Sequence, residues 1–217
     1  GKTRLLWRCT PSIDLEALAH HRGSAFGHHP QPQPTQIDFE NGLSIALLRR
    51  VADGNRPFVV EDESRNIGSR HLPPTFFERL QKAPLVLLEV SLEERIDTTL
   101  QEYVHDALGN FRAAVGQGQA FDAWSTYLRS ALARIQRRLG GDRYREIGTI
   151  LEDALSVHRT TGDTDAHREW IRLLLTAYYD GMYEYQLERK KDRIVCRGDA
   201  ETVLDYLARH FDIAASA

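Results

Sequence analysis

"PFVVEDES", residues 57–64, is the stretch on which the fold turns. Phe58, Val59 and Val60 follow a proline with no polar alternation, and three acids, Glu61, Asp62 and Glu63, come straight after them. An uninterrupted Val-rich run suits a strand of a parallel sheet covered on both faces, whereas a half-solvated strand would alternate. The acids then stand where the chain leaves the sheet. "PLVLLEV" (84–90) repeats the pattern, and "RIVCRG" (193–198) is a shorter third example.

Helical patterns lie between these runs. Thr35 is placed to cap a helix whose Phe39, Leu43, Ala46 and Leu47 form one stripe. Ser91 and Glu94 have capping-box spacing, and Leu92, Ile96, Leu100, Tyr103 and Ala107 follow on one face. Strands alternating with helices predict an α/β class with right-handed crossovers.

From about Asp97 to Asp192 the strand signal disappears. Trp124, Tyr127, Leu128, Ala131, Ile135 and Leu139 make one helical stripe ending at Gly140, and a second helix stops near Gly162. A third carries Ile171, Leu174, Leu175 and Tyr178 in register, and "DAETVLDYLARHF" (199–211) closes the chain. The expected organisation is an α/β domain over 1–96, a long all-helical insertion over 97–192, and a returning strand and helix over 193–217.

Composition narrows the function classes. The 217 residues are 27% charged and 41% hydrophobic, as in an ordinary globular chain. A net charge of −3 excludes a globally basic nucleic-acid binder, so any such role rests on local patches. No apolar run reaches the roughly 18–20 residues that span a bilayer. Two cysteines, Cys9 and Cys196, are too few for a disulfide scaffold and suit a reducing, cytoplasmic setting. The start at "GKTRLL", with no initiator methionine, reads as a piece of something longer.

"GKT" (Gly1, Lys2, Thr3) matches the last three positions of the phosphate-binding pattern G-x-x-x-x-G-K-[ST]. There, backbone amides and a lysine surround phosphates while a hydroxyl reaches Mg²⁺. A hydrophobic strand ending in acids supplies the metal-side carboxylate in such proteins, and Asp62 is the candidate, with Thr3. The fold class is therefore read as a P-loop NTPase-like parallel sheet with a helical insertion. Only ten residues separate Thr3 from Asp14, and Pro11 interrupts them, so the first crossover is very tight.

Six further blocks carry a family resemblance: "DLEALAHHRGSAFG" (14–27), "PQPTQIDFEN" (32–41), "VVEDESRNIGS" (59–69), "HLPP" (71–74), "TTGDTDAHREW" (160–170) and "YYDGMYEYQLERK" (178–190). In this order they resemble the tRNA 2-selenouridine synthases, in which a rhodanese-like domain precedes a P-loop domain. The resemblance implies action on a wobble uridine of tRNA that already carries a 2-thio group. It implies S-geranylation from geranyl diphosphate and replacement of sulfur by selenium from selenophosphate. The selenium-handling cysteine belongs to the upstream rhodanese-like domain, which nothing here resembles; Cys196, in an apolar strand, reads as an inert thiol.

Given that resemblance, Lys2, Thr3, Arg22, Gly23, Ser24 and Arg65, with Gly1, are expected around the diphosphate. An arginine fork suits phosphate oxygens and glycine allows close backbone approach. The "PQPQP" arm (30–34) reads as a stiff surface connector. Arg129, Arg134, Arg137, Arg138 and Arg143, with Arg189, Lys190 and Lys191, are expected to hold tRNA phosphates. Tyr178, Tyr179, Tyr183 and Tyr185 are candidates to stack a base or to fill a core. The adjacent pairs His20–His21 and His28–His29 do not converge as zinc ligands would. Two other readings use the same elements: a small-molecule or nucleotide kinase, and a non-catalytic tRNA-binding module.

Overall fold

A computed structural model describes residues 2–52, 54 and 56–215, so Gly1 lies outside the described residues. The chain divides into two compact units, one drawn from 1–28, 32–90 and 190–217, the other from 29–31 and 91–189.

The first unit begins with helix α1 (Lys2–Arg8), which runs directly into strand β1 (Cys9–Thr10). Pro11, which has no N–H to donate, separates β1 from β2 (Ser12–Ile13). Helix α2 (Leu15–Ala19) is capped by Asp14, whose carboxylate accepts from the Ala17 N–H at 2.7 Å. Helix α3 (Gln36–Ala52) starts after Thr35, whose hydroxyl accepts from the Asp38 N–H at 3.1 Å. Strand β3 (Val59–Val60) follows, then the hairpin β4 (Asn66–Ile67) and β5 (Arg70–His71), helix α4 (Pro74–Leu80) and strand β6 (Leu85–Leu88).

The second unit is all helical: α5 (Leu92–Leu100), a π-turn over Gln101–Asp106, α6 (Ala107–Val115), α7 (Gln117–Leu139) and α8 (Gly141–Thr161). A 3₁₀ turn leads to α9 (Arg168–Leu174), a second π-turn (Leu175–Tyr179) and α10 (Asp180–Glu188). The chain then returns to the first unit as β7 (Ile194–Gly198), α11 (Ala200–Phe211) and β8 (Ala214–Ala215).

One continuous parallel sheet is not what the described residues form. Their strands pair two by two: β2 with β3 and β6 with β7 are parallel, while β1 with β8 and β4 with β5 are antiparallel. The strands are short, and Pro11 splits the first run so that its halves find different partners: Cys9 faces Ala215 while Ile13 faces Val60. The structure is accordingly mostly helical, with small parallel pieces.

At β3 the expectation of burial on both faces is met in part: both residues are half-buried, each against a different apolar cluster. Val60 packs with Ile13, Leu15, Phe39, Leu43 and Ile67, whereas Val59 packs with Cys9, Val203, Leu204 and Leu207. Cys9 is the more buried thiol, its Sγ 3.3 Å from the Leu5 carbonyl, and Cys196 lines the same cluster. In the helical unit the stripe Trp124, Tyr127, Leu128, Ala131, Ile135 and Leu139 is buried throughout, and Gly140 and Gly162 end their helices at positive φ. The Ser91–Glu94 capping box is present in full.

His167 and His158 join Trp124 and Trp170 in that helical core. Trp170 Nε1 donates to His167 Nδ1 at 2.9 Å, so the ring proton sits on Nε2, 3.1 Å from His158 Nδ1. Burial, then the neighbouring His158, pushes His167 down to about 4, which keeps this pair neutral and bonded. Among the described residues no helix is long and apolar enough to cross a membrane.

The proline–glutamine arm is a strap. Gln33 Nε2 donates to the Ala19 carbonyl (2.8 Å) and the Ile67 carbonyl (3.0 Å), and its Oε1 accepts from the Ser69 N–H (2.7 Å) and hydroxyl (3.0 Å). Gln36 exchanges two bonds with the His71 backbone, at 2.8 and 3.0 Å, as a paired strand residue would. Together they pin the end of α2 to the β4–β5 hairpin. Gln33→Ala should therefore cost about 2–3 kcal/mol in urea denaturation, because backbone groups lose their partners. Gln33→Glu should cost at least as much, since a carboxylate would then face two carbonyls. A loss below about 0.5 kcal/mol would show the strap to be incidental.

Candidate functional site

Parallel β2 and β3 both end on the same side, and each delivers acids there. After Ile13 come Asp14 and α2 with Glu16; after Val60 come Glu61, Asp62 and Glu63. Beyond β3 the chain turns at Asp62, the Glu63 N–H donating to the Glu61 carbonyl at 2.9 Å, and the contacts of the three acids diverge there. Glu61 Oε2 accepts from the Leu15 N–H at 2.9 Å, and Glu63 is bonded by Lys2 Nζ. Asp62 faces Lys190 and Arg193 instead, the latter at 3.7 Å.

Lys2, the first described residue of α1, sets its ammonium between two buried carboxylates: it bonds Glu63 and lies 2.9 Å from Glu16 Oε1. Its stem is exposed, but both carboxylate side chains are only 8% exposed. Burial alone would lower the lysine's pKa; Glu63 and then Glu16 outweigh it and raise it, so Lys2 stays charged.

The two acids share that single ammonium unequally. Glu63 takes the hydrogen bond, and Glu16 is pushed up to about 7 by burial, with Lys2 pulling down and the Glu63 charge pushing up. Glu61 rises to about 8, chiefly through burial, against the lowering effect of the Leu15 amide. Its Oε1 is buried with no hydrogen-bond partner.

Gly23 forms the wall beside the pair. Its φ is +67°, and a Cβ there would meet Glu63 Oε2 at 2.8 Å and Glu16 Oε1 at 3.0 Å. Only glycine allows this approach. The loop around it closes on itself: the Arg22 N–H donates to the Gly27 carbonyl, the Gly23 N–H to His21 Nδ1, the Phe26 N–H to Ser24 Oγ and the Gly27 N–H to the Ser24 carbonyl. The expected anion-facing amide at Gly23 is therefore spent within the loop. Arg65 is exposed, and Thr3 half-buried.

Asp62, expected on Mg²⁺ beside Thr3, is ion-paired with Lys190 and lies 3.7 Å from Arg193. Among the described residues no group of three or more His, Cys, Asp or Glu could hold a metal ion. Glu61 and Glu63, not Asp62, are the strand-end acids on the lysine side. The turn at Asp62 that separates these acids is not announced by the sequence, and nothing in the sequence singles out Glu16.

The sequence has relatives among known proteins. Residues 1–213 match the family model described as tRNA 2-selenouridine synthase AAA domain. The chain belongs to the tRNA 2-selenouridine synthase family. It is 47% identical over 207 residues to a tRNA 2-selenouridine synthase of Cupriavidus pinatubonensis, covering 95% of this chain and 57% of that protein. Counterparts in Hahella chejuensis and Shewanella frigidimarina are 46% and 40% identical, with 100% and 97% of this chain covered. The chain spans only 57% of the length of these curated relatives. No solved structure matches.

In this family member the basic residues expected to meet tRNA are not equivalent. Arg129 is held bidentately by Glu152 at 2.6 and 2.7 Å, Arg143 donates to the Ala177 carbonyl at 3.3 Å, and Arg189 lies over the Tyr185 ring at 5.7 Å. Lys190 is the partner of Asp62, a correction to its expected place on an RNA surface. Arg134, Arg137 and Arg138 are exposed along α7, and Lys191 is exposed. The tyrosines also divide: Tyr179 is buried, Tyr178 half-buried, and Tyr183 and Tyr185 exposed.

The raised carboxylates have a pH signature. Between about 4.5 and 8 the folded chain keeps on Glu61 a proton that the unfolded chain has released, so stability falls as pH rises through this window. Glu61→Gln preserves the neutral shape. It should be more stable than the parent chain by about 2–4 kcal/mol near pH 8.5, with the difference vanishing towards pH 4.5. Thermal or urea unfolding across that range measures it; a pH-independent difference would remove Glu61 as the source.

Proposed function

We propose that this chain is the phosphate-handling part of a tRNA wobble-uridine modifying enzyme. It would bind geranyl diphosphate and tRNA carrying 2-thiouridine, and promote S-geranylation on the way to exchange of sulfur for selenium. The observation that carries the reading is the charged Lys2, held at the ends of two parallel strands by Glu63 and Glu16 beside a left-handed glycine. Ligands of α/β sheets bind outside the carboxyl ends of the strands, and membership of the selenouridine synthase family supplies the substrate class.

In this reading the diphosphate takes Lys2 from its two carboxylates. The uridine sulfur attacks the first carbon of the geranyl group, the carbon–oxygen bond breaks, and diphosphate leaves with the electron pair. The uridine N3 proton is released, leaving a neutral S-alkylated base. Lys2, with Arg65 approaching from its exposed position, would stabilise the charge gathering on the departing oxygens. Selenium from selenophosphate would then displace the geranyl thiolate, with the selenium-handling cysteine assigned to a rhodanese-like domain of the parent protein.

The chain incubated with 2-thiouridine tRNA and geranyl diphosphate should yield a geranyl mass increment on the wobble nucleoside. Lys2→Ala should lower the yield by at least about 100-fold while leaving tRNA binding within about twofold. Binding without a mass change would reduce the chain to a docking module, and phosphoryl transfer from ATP with no tRNA binding would favour a kinase.

RNA contact is proposed along α7. Replacing Arg137 and Arg138 together by alanine should weaken tRNA binding regardless of sequence and flatten the log–log salt dependence by about 1.4–1.8. Filter binding or thermophoresis over a salt series checks this; an unchanged slope would place the RNA elsewhere.

A further inference from the structure

Helix α3 is apolar on two faces. Phe39 and Leu43 are buried in the core of the first unit, with Ala46 and Leu47 packed against it. The other face exposes Ile37 (69%), Ile45 (51%), Leu48 (66%) and Val51 (60%). At 3.6 residues per turn these four fall, with Asn41 and Ser44, within an arc of about 120° along a helix roughly 25 Å long. A solvated face would carry polar residues there, and a contiguous exposed apolar stripe marks an interaction surface.

The charges beside the stripe indicate what covers it. Asp38, near the start of α3, and Arg49, near its end, are both exposed and lie on the same flank, about 20° apart in projection. When two α3 helices pair antiparallel about a perpendicular two-fold axis, that flank of one copy meets the same flank of the other. Asp38 of each copy then meets Arg49 of its mate. A parallel pairing would bring opposite flanks together and leave Asp38 and Arg49 without each other. The axis falls close to Ser44, a small residue whose hydroxyl donates to the Glu40 carbonyl at 2.8 Å and so brings no unsatisfied donor to the seam. Ile37 then lies across from Val51 of the second copy, and the helix dipoles oppose one another favourably.

We propose that α3 is a self-association surface on which a second copy of this chain docks, isologously and antiparallel, with reciprocal Asp38–Arg49 pairs at the rim. One helix pair buries less than the roughly 800 Å² per partner of a standard interface, so the association is weak and concentration-dependent.

Sedimentation velocity of the intact chain, from low-micromolar to several hundred micromolar, tests this. The weight-average mass should climb towards that of a dimer. Leu48→Glu should weaken association by at least about tenfold. Arg49→Asp should weaken it several-fold, and adding Asp38→Arg should restore it to within about threefold of the parent. Asp38 also braces the start of α3 through Thr35, so each variant is first matched to the parent by far-UV circular dichroism and thermal midpoint. A chain that stays monomeric throughout overturns the proposal, as does a dimer indifferent to both Leu48→Glu and the charge reversal. The stripe would then be cover for another partner, including the part of the longer relatives that this chain does not span.

Discussion

The parallel pairing of Ser12–Ile13 with Val59–Val60 is the constraint from which the rest of the first unit follows. It is only two residues deep, yet it stands between two apolar clusters, one gathered by Ile13 and Val60, the other by Cys9 and Val59. Desolvation on both sides holds so short a ladder in register, because a slip of one residue would exchange the clusters and expose both. Parallel strands also end on the same side. The acids that follow Ile13 and Val60 are thus brought together by topology, with α1 delivering Lys2 to the same place.

A turn at Asp62, closed by the Glu63 N–H on the Glu61 carbonyl, then sorts the acids. Glu61 and Glu63 turn towards α1 and α2, and Asp62 turns towards the returning chain at Lys190 and Arg193. Arg193 also donates to the Ala83 and Leu80 carbonyls, at 2.9 and 2.8 Å, so the Asp62 side is a structural clamp with every cation engaged. The lysine side differs in its charge balance: three buried carboxylates face one ammonium. Natural cores rarely leave such groups uncompensated, which is why this side, and not the clamp, is the candidate site.

Much of this was legible in the sequence because it depends on local periodicity. The stripe of α7, the Ser91–Glu94 box and the helix-ending Gly140 and Gly162 stand where the 3.6-residue period and capping chemistry put them. The π-turns after α5 and α9, by contrast, shift the register, so that Val104, Leu108 and Tyr179 are buried where Tyr103, Ala107 and Tyr178 were expected. The runs at Val59–Val60, Leu85–Leu88 and Ile194–Gly198 are strands, as their Val- and Leu-rich character required. What did not come through depends on pairing across long separations. The partners of Cys9–Thr10 lie at the far end of the chain, and no local pattern announces them. Glu16 becomes a site residue only because α2 follows a strand paired to β3. The proline–glutamine arm was read from composition as a connector, and its strap function lies in the hydrogen-bonding ends of Gln33 and Gln36, which composition does not weigh.

The charge of the lysine site is set more by burial than by its formal inventory. One ammonium and three carboxylates amount formally to −2, a poor setting for any anion. Glu61, displaced to about 8, is mostly protonated at neutrality, and Glu16, at about 7, is close to half protonated. Burial thus leaves the site less negative at neutrality than its formal inventory. Desolvation thereby moderates the negative charge beside Lys2 without further arginines.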